Sequence, residues 1–253
     1  AAIRPIHRPP RVPAGRTPHC RWRIDIVADG AAVTAHMHQA VVERSLAATA
    51  HLEIPDGTAD EDGLADYSGA FDPDFRLEGL SHRALVIALQ EVALQSHLLL
   101  RALLLSVDRR LGPDVVASLT PRLVAGWAGL TAQRLRDAFD LPANPDGLAT
   151  MLALHPMLAP RAYIGATVSR DGDGVRLAFA DCPAAREGDA YTWFGGLNGP
   201  MDEALEDVAV AFDPRSRCMP VAADSDELAA YRLTLDPDGA PAQAPPELEI
   251  AKI

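Results

Sequence analysis

The longest run of apolar, helix-forming positions extends from Ser81 to Val107 and contains no Gly or Pro. Its apolar residues occur on nearly every side of a helical wheel. Because a surface helix keeps one face polar, this pattern predicts a helix that is buried in the middle of the fold. Ser81 has the residue type preferred at a helix N-cap, so we expect the helix to begin there.

Two further helices are predicted from their start signals. The pair Thr120-Pro121 combines a good N-cap residue with Pro at the first helical position, which predicts a helix over residues 121–139. The pair Asn144-Pro145 repeats this signal for a third helix that ends near Leu154. Since the connections are short, the helices are expected to pack as antiparallel neighbours.

Polar and apolar residues alternate before the helical segment, as they do in half-buried strands. The alternating segments are 21–27, 32–42 and 47–54, and Asp29-Gly30 is a hairpin signal between the first two. We therefore predict a three-stranded antiparallel meander. Ala-rich strands are weak, however, and residues 41–50 are also compatible with a helix.

Alternation returns after the helices. Residues 163–169 and 175–180 flank the Gly- and Asp-rich turn 170–174 and predict a β-hairpin. The remaining segments are predicted as a helical turn at 202–206 and strands at 208–212 and 231–235. The prediction is an α+β fold with an antiparallel β-meander, a central helical bundle with one mostly buried helix, and a second small antiparallel β region.

Pro-rich composition at both ends suggests the domain limits. Residues 1–20, rich in Pro and Arg, are predicted to form an extended arm without regular structure that lies over the body or over another subunit. Residues 237–253 form a Pro-rich tail. Between them, residues 21–236 are predicted to be a single α+β domain, with strands over 21–54, helices over 80–158 and mostly strands over 161–236.

Charge and hydropathy exclude several classes of function. The 253-residue chain has a net charge of −12, which argues against a nucleic-acid-binding surface and against adhesion to an anionic membrane. Apolar content of 48% is ordinary for a soluble protein. No membrane-spanning segment is predicted, because Glu91, His97 and Arg101 interrupt the most apolar run.

Cysteine usage and known motifs add little. Cys20, Cys182 and Cys218 are far apart and form neither a disulfide framework nor a Cys-x-x-Cys metal pair. A reducing compartment, and so a cytoplasmic location, is the simpler interpretation. The chain lacks Gly-x-Ser-x-Gly and Gly-rich nucleotide motifs, and residues 171–174 lack the later ligands of an EF-hand loop.

The most specific candidate site is a metal site in the predicted meander, formed by His36, His38, His51 and Glu53. Residues two apart share a face of a strand, and the apolar residues of both strands must face the core. All four polar residues then lie on the other face. Three imidazoles and one carboxylate are typical ligands of a divalent transition metal. The alternative is the solvated face of an amphipathic sheet.

A second candidate site lies on the helix over 81–107. Glu91 in an apolar bundle is a candidate general acid or base, with His97 as its partner. The alternative is a buried polar network that holds the helices in register. The other polar residues of this helix that need partners are Arg83, Gln90, Gln95 and Arg101.

Two further features are weaker. His155 stands at the end of the third helix and is interpreted as a structural cap. The segment Trp193–Gly196 is an aromatic, glycine-rich turn in which backbone could approach a ligand closely.

Two classes of function follow. The first is a metabolic enzyme that acts on a small, largely apolar molecule, with metal-assisted or carboxylate–histidine acid–base chemistry. The second is a non-catalytic ligand-binding module, or an accessory subunit of a larger complex. The N-terminal arm is expected to support a homo-oligomer or a hetero-complex.

Overall fold

The computed structural model describes residues 2–7, 21–25, 35–52, 63–65 and 74–250. The chain divides into two compact units, Ala1–Gln39 and Ala40–Ile253. Together the described helices and antiparallel strands confirm the predicted α+β fold class.

The first unit contains a two-stranded antiparallel ribbon. Strand β1 (Ala2–His7) pairs with strand β2 (Arg21–Asp25), and the register is irregular between Pro5 and His7. The predicted strand over 21–27 is therefore confirmed across its described part. The prediction that the N-terminal arm has no regular structure is wrong, because its residues 2–7 form strand β1. Pro is tolerated there because the strand lies at the edge of a ribbon.

The predicted strands over 32–42 and 47–54 are wrong across their described part. Residues 35–38 are irregular, helix α1 spans Gln39–Glu43, and turns follow to residue 49. Local hydrogen bonds explain the difference, since both the backbone N–H and the hydroxyl of Ser45 donate to the carbonyl of Val42, at 3.1 and 2.6 Å. Such bonds compete with a strand ladder.

The second unit combines helices with a four-stranded antiparallel sheet. The helices are α2 (His82–Leu111), α3 (Pro113–Ala138), α4 (Pro145–Leu154), α5 (Arg161–Ile164), α6 (Pro200–Phe212) and α7 (Pro246–Ile250). The strands are β3 (Ala166–Asp171), β4 (Gly174–Ala180), β5 (Ser216–Val221) and β6 (Glu227–Leu235). Their order in the sheet is β3-β4-β6-β5.

Two predicted helix starts are confirmed and one is wrong. The Ser81 side chain caps α2, and the Asn144 side chain caps α4. Helix α3, however, begins at Pro113 and continues through Pro121. The hydroxyl of Thr120 donates to the Val116 carbonyl at 2.8 Å instead of capping a new helix. A Thr-Pro pair inside a helix therefore carries the same sequence signature as a helix start.

The sheet prediction is correct for the hairpin and for β6 but wrong at two other places. The residues over 208–212 continue helix α6, and they are all buried. A segment that is apolar on every side has no period that separates helix from strand. Strand β5 was not predicted because Pro220 and polar residues interrupt it, which an edge position tolerates.

The core of the second unit lies between the sheet and helices α3, α4 and α6. Phe179 of β4 is fully buried, and its ring makes edge contacts with Trp193, Phe194 and Tyr231. These aromatic contacts fix the turn around residues 193–196 against the sheet.

Helix α2 is not the mostly buried helix that its composition predicts. Only 17% of its most apolar 18-residue window is buried. The buried side chains form one stripe along the helix and comprise Ala93, His97, Arg101, Leu104 and Leu105. Other apolar positions, such as Leu94, Leu98 and Leu100, are partly buried against the core, whereas Leu89, Val92, Leu99 and Leu103 stay exposed among the residues that the structure describes.

By length and composition alone, α2 could cross a bilayer. This is weak evidence for a membrane span. The buried Arg101 and His97 anchor α2 to other parts of its unit through the contacts described below. These contacts attach α2 to the surface of its unit.

Candidate functional site

A buried arginine lies at the centre of a charged network. Arg101 of α2 is 2% exposed, and its Nη1 donates to Asp189 Oδ2 at 2.6 Å. Its Nη2 lies 2.8 Å from Glu187 Oε2, at an angle too poor for a hydrogen bond, so this contact is an ion pair. Burial lowers the pKa of Arg101, but the hydrogen bond to Asp189 and the two carboxylate charges outweigh this effect and raise it. Arg101 is therefore permanently charged.

Glu187 is the buried carboxylate of this network, with a side chain that is 2% exposed. Its Oε1 accepts from the Tyr163 hydroxyl at 2.9 Å and from the Ala47 N–H at 2.9 Å, and its Oε2 accepts from the Leu46 N–H at 3.1 Å. Burial, and then the charge of Glu187, raise the pKa of Tyr163, so the phenol stays protonated as a donor. These bonds join the turn at 46–47 to the body of the unit.

Asp189 is the exposed end of the network, and 31% of its side chain reaches solvent. Its second oxygen, Oδ1, accepts from the backbone N–H of Tyr191 at 3.0 Å. The Tyr191 hydroxyl in turn donates to Asp108 Oδ2 at 2.7 Å, a bond that raises the pKa of Tyr191. The carboxylate of Asp189 is thus held in one orientation from both sides.

Asp189 lies on the wall of a cavity of about 570 Å³. Volumes of this size hold small organic molecules. Most of the lining is small and apolar, and it comes from α3, from residues 184–196 and from the start of α6. The polar side chains on the wall include Asp189 and the hydroxyl of Thr192.

Two hydrogen-bonding groups on the cavity lining lack their usual partners. Trp193 is 1% exposed, and its Nε1–H has no hydrogen-bond partner among the residues that the structure describes. Pro121 has no N–H, so the Ala117 carbonyl loses its helical donor. Trp193, Pro121 and Ala117 all line the cavity. A buried donor without a partner costs free energy, and a ligand acceptor or an ordered water would offset this cost.

The glycine-rich turn predicted as an approach to a ligand lies on the same wall. Gly195 and Gly196 both line the cavity. A Cβ added at Gly195 would meet no atom within 4 Å, so the backbone there faces open space. This arrangement leaves room for a molecule to contact the main chain directly.

The structure does not bring Glu91 and His97 together. Glu91 is exposed and His97 is buried, and six residues of helix place them about 120° apart. His97 Nε2 donates to the Ala159 carbonyl at 2.9 Å, and its ring contacts Tyr163. Burial lowers the pKa of His97 to about 4, so the ring is neutral at physiological pH. For His97 and Arg101, the geometry is that of a structural polar network.

The metal hypothesis for His36, His38, His51 and Glu53 is not tested by the described residues. The rings of His36 and His38 lie 5.1 Å apart in the first unit, and the His38 N–H donates to His36 Nδ1 at 3.3 Å. His51 is exposed in the second unit, and Glu53 lies outside the described residues. The strands assumed for the shared face are absent over 35–52. In the part of the chain that the structure describes, no three metal-ligating side chains gather, and the hypothesis stays a prediction.

Three buried ionisable groups have structural roles. His155 is structural as predicted, but its side chain bonds elsewhere than to the last carbonyls of α4: its Nδ1 accepts from the Met157 N–H at 3.1 Å and its Nε2 donates to the Ala128 carbonyl at 3.0 Å. Burial lowers its pKa to about 4. Burial also raises the pKa of both thiols, Cys182 and Cys218, the latter to about 12. Neither thiol has the lowered pKa of a nucleophilic cysteine.

Sequence reasoning missed the two carboxylates of the network. Glu187 and Asp189 stand in a loop more than eighty positions after Arg101, and loop carboxylates are usually solvated. Arg101 itself indicated that such carboxylates exist, since an arginine in an apolar helix needs a buried acidic partner. Sequence alone does not say which of the many acidic residues supplies it.

Fold and site together define an α+β protein with a buried arginine–carboxylate network beside an open cavity. No known protein family, curated protein or solved structure matches the chain. Its function therefore has to be inferred from the geometry.

Proposed function

We propose that the chain is a small-molecule-binding module and that its ligand occupies the cavity beside Asp189. The observation that carries this proposal is a carboxylate held in a fixed orientation on the wall of a cavity of about 570 Å³. Convergent polar groups in a mostly apolar cavity are the usual features of a ligand site.

The charges favour a ligand that donates hydrogen bonds. Arg101 supplies one positive charge against the two carboxylates of Glu187 and Asp189, so the network keeps one excess negative charge next to the cavity. Ala117, whose carbonyl lacks a helical donor, also lines the cavity and offers a second acceptor. The ligand class that fits best is a small primary amine with an apolar body.

Binding is better supported than catalysis. Both oxygens of Asp189 already accept hydrogen bonds, and Tyr163 is held protonated. No contact among the described residues favours the acid–base enzyme that Glu91 and His97 predict. That enzyme and the metal-assisted one remain predictions without structural support.

A thermal-shift screen tests the proposal. The panel contains hexylamine, benzylamine and phenethylamine, each with the alcohol and the carboxylic acid of the same skeleton. We expect stabilisation by at least one amine and no stabilisation by the matching acid. Equal responses to amine and acid, or none to any amine, would reject the assigned ligand class.

Asp189→Asn tests the role of the carboxylate while preserving its shape. Loss of one charge-assisted hydrogen bond should weaken amine binding by about 10- to 100-fold. Each shift is referred to the unliganded melting temperature of the same variant, because Asp189 also pairs with Arg101. An unchanged affinity would remove Asp189 from the site.

We further propose a cytoplasmic location, which the two free buried thiols support. The hetero-complex or homo-oligomer formed through residues 1–20 stays a prediction.

A further inference from the structure

Helix α2 carries an apolar seam that the described residues of its unit leave largely exposed. The seam comprises Leu85, Leu89, Val92, Ser96, Leu99 and Leu103. Four of its side chains are among the most exposed large apolar groups, with exposed fractions of 52% for Leu89, 58% for Val92, 71% for Leu99 and 45% for Leu103. An ordinary surface helix keeps such a face polar.

The spacing along the α2 seam indicates what would cover it. Successive positions are separated by four and three residues in alternation, which is the heptad pattern of a helix that packs against another helix. None of the six seam positions from residue 85 to residue 103 is acidic or basic. An exposed heptad seam on a folded unit is therefore suited to a partner helix.

We propose that the α2 seam is the interface with a second copy of this chain, with the two α2 helices packed antiparallel about a twofold axis at Ser96. The seam is self-complementary in this arrangement, because Leu89 faces Leu103 of the second copy and Val92 lies within one residue of the level of Leu99. Ser96 meets its own equivalent at the axis. Its hydroxyl already donates to the Val92 carbonyl at 3.0 Å, so its burial leaves no donor without a partner.

The helix dipoles favour the antiparallel arrangement over the parallel one. A parallel pair would align the two dipoles and bring Arg109 and Arg110 of both copies together at one end. The antiparallel pair opposes the dipoles and replaces this cluster with Arg83 of one copy at the level of Arg109 of the other. A closed twofold dimer is also the commonest form of homo-oligomer.

The available area lies at the lower limit for a specific interface. A helix of 30 residues is ~45 Å long and ~10–12 Å wide, so the pair covers ~450–550 Å² on each copy. The total is close to the ~1,000 Å² that a biological interface should exceed. A groove of about 260 Å³ between α2 and α3, lined by Leu123 and Trp127 beside the seam, adds room for side chains of the second copy.

Light scattering coupled to size-exclusion chromatography tests the proposal on the full chain at about 50 μM. We expect a dimer for the wild type and a monomer for Leu99→Glu, whose dimer dissociation constant should be at least about 100-fold higher. The matched control is Leu111→Glu, since Leu111 is 64% exposed on the same helix but lies about 120° away from Leu99. Leu111→Glu should stay dimeric. A monomeric wild type, or a dimer that survives Leu99→Glu, overturns the proposal.

Cross-linking tests the antiparallel arrangement in a Cys20→Ser background. A mixture of Leu89→Cys and Leu103→Cys chains should form a disulfide-linked dimer on oxidation, and Leu89→Cys alone should not. A disulfide-linked dimer of Leu89→Cys alone, without one in the mixture, would overturn the antiparallel geometry.

A lipid surface is the alternative occupant of the seam. If the wild-type chain stays monomeric and floats with phosphatidylcholine vesicles, and Leu99→Glu does not float, the seam binds lipid and the dimer is overturned.

Discussion

Replacement of Arg101 by leucine should destabilise the second unit strongly. The side chains of Arg101 and Glu187 are each 2% exposed. Loss of the arginine therefore leaves a carboxylate buried without its charge partner, which costs about 3–5 kcal/mol in comparable sites. Glu187 keeps three other donors, from Tyr163, Ala47 and Leu46, so we expect the lower end of that range.

The measurement is urea unfolding followed by circular dichroism, with a thermal melt alongside it. A loss of about 3 kcal/mol corresponds to a fall of about 6–12 °C in Tm for a unit of this size. The matched control is Arg122→Leu. Arg122 makes an ion pair with Glu247 at 2.8 Å but is 66% exposed, so its loss should change stability by less than about 1 kcal/mol.

A double-mutant cycle separates the ion pair from general packing. Glu187→Gln and Arg101→Leu together should cost less than the sum of the single changes, by about 1–3 kcal/mol. If Arg101→Leu is as mild as Arg122→Leu, or if the two changes are additive, the buried network does not stabilise the fold as described.

Three further outcomes are expected. The pKa values of His97 and His155 are about 4 in the folded state against 6.5 in the unfolded chain, so the unfolded state binds more protons and stability falls as pH decreases from 6.5 towards 4. Urea unfolding at pH 7 and pH 5 should differ by about 2 kcal/mol for each histidine, and equal stabilities would contradict their buried, neutral state. In a Cys20→Ser variant, Cys182 and Cys218 should react with a thiol reagent only after denaturation, and rapid labelling of the native protein would show that they are not buried. The metal hypothesis predicts close to one equivalent of a transition metal in purified protein, and less than about a tenth of an equivalent, without binding on titration, would remove it.

Local signals predicted the fold where the chemistry is local. Ser81 and Asn144 cap α2 and α4 because their side chains bond to N–H groups two or three residues ahead. The same logic failed at Pro121, where the decisive fact is that Gly112 and Pro113 had already started the helix. A helix start depends on the preceding segment as well as on the cap.

Less of the candidate site than of the fold could be predicted from the sequence. Composition marks α2 as apolar on every side, but it does not say whether the covering element belongs to the same chain or to a second copy. The network around Arg101 is formed by residues distant in sequence, and pairing of that kind has no local pattern. The turn at Trp193–Gly196 was identified because its glycines and aromatic rings are adjacent.

Calorimetric titration of two variants at one position tests most directly whether the cavity is the binding site. Gly195 lines the cavity and a Cβ there meets no atom within 4 Å, so Gly195→Phe should fill the space without disturbing the fold, and Gly195→Ala is the matched control. For the amine that binds best in the screen, we expect wild-type affinity in Gly195→Ala and no measurable binding in Gly195→Phe, with both variants melting near the wild-type temperature. Undiminished binding by a folded Gly195→Phe would contradict the assignment of this cavity as the ligand site.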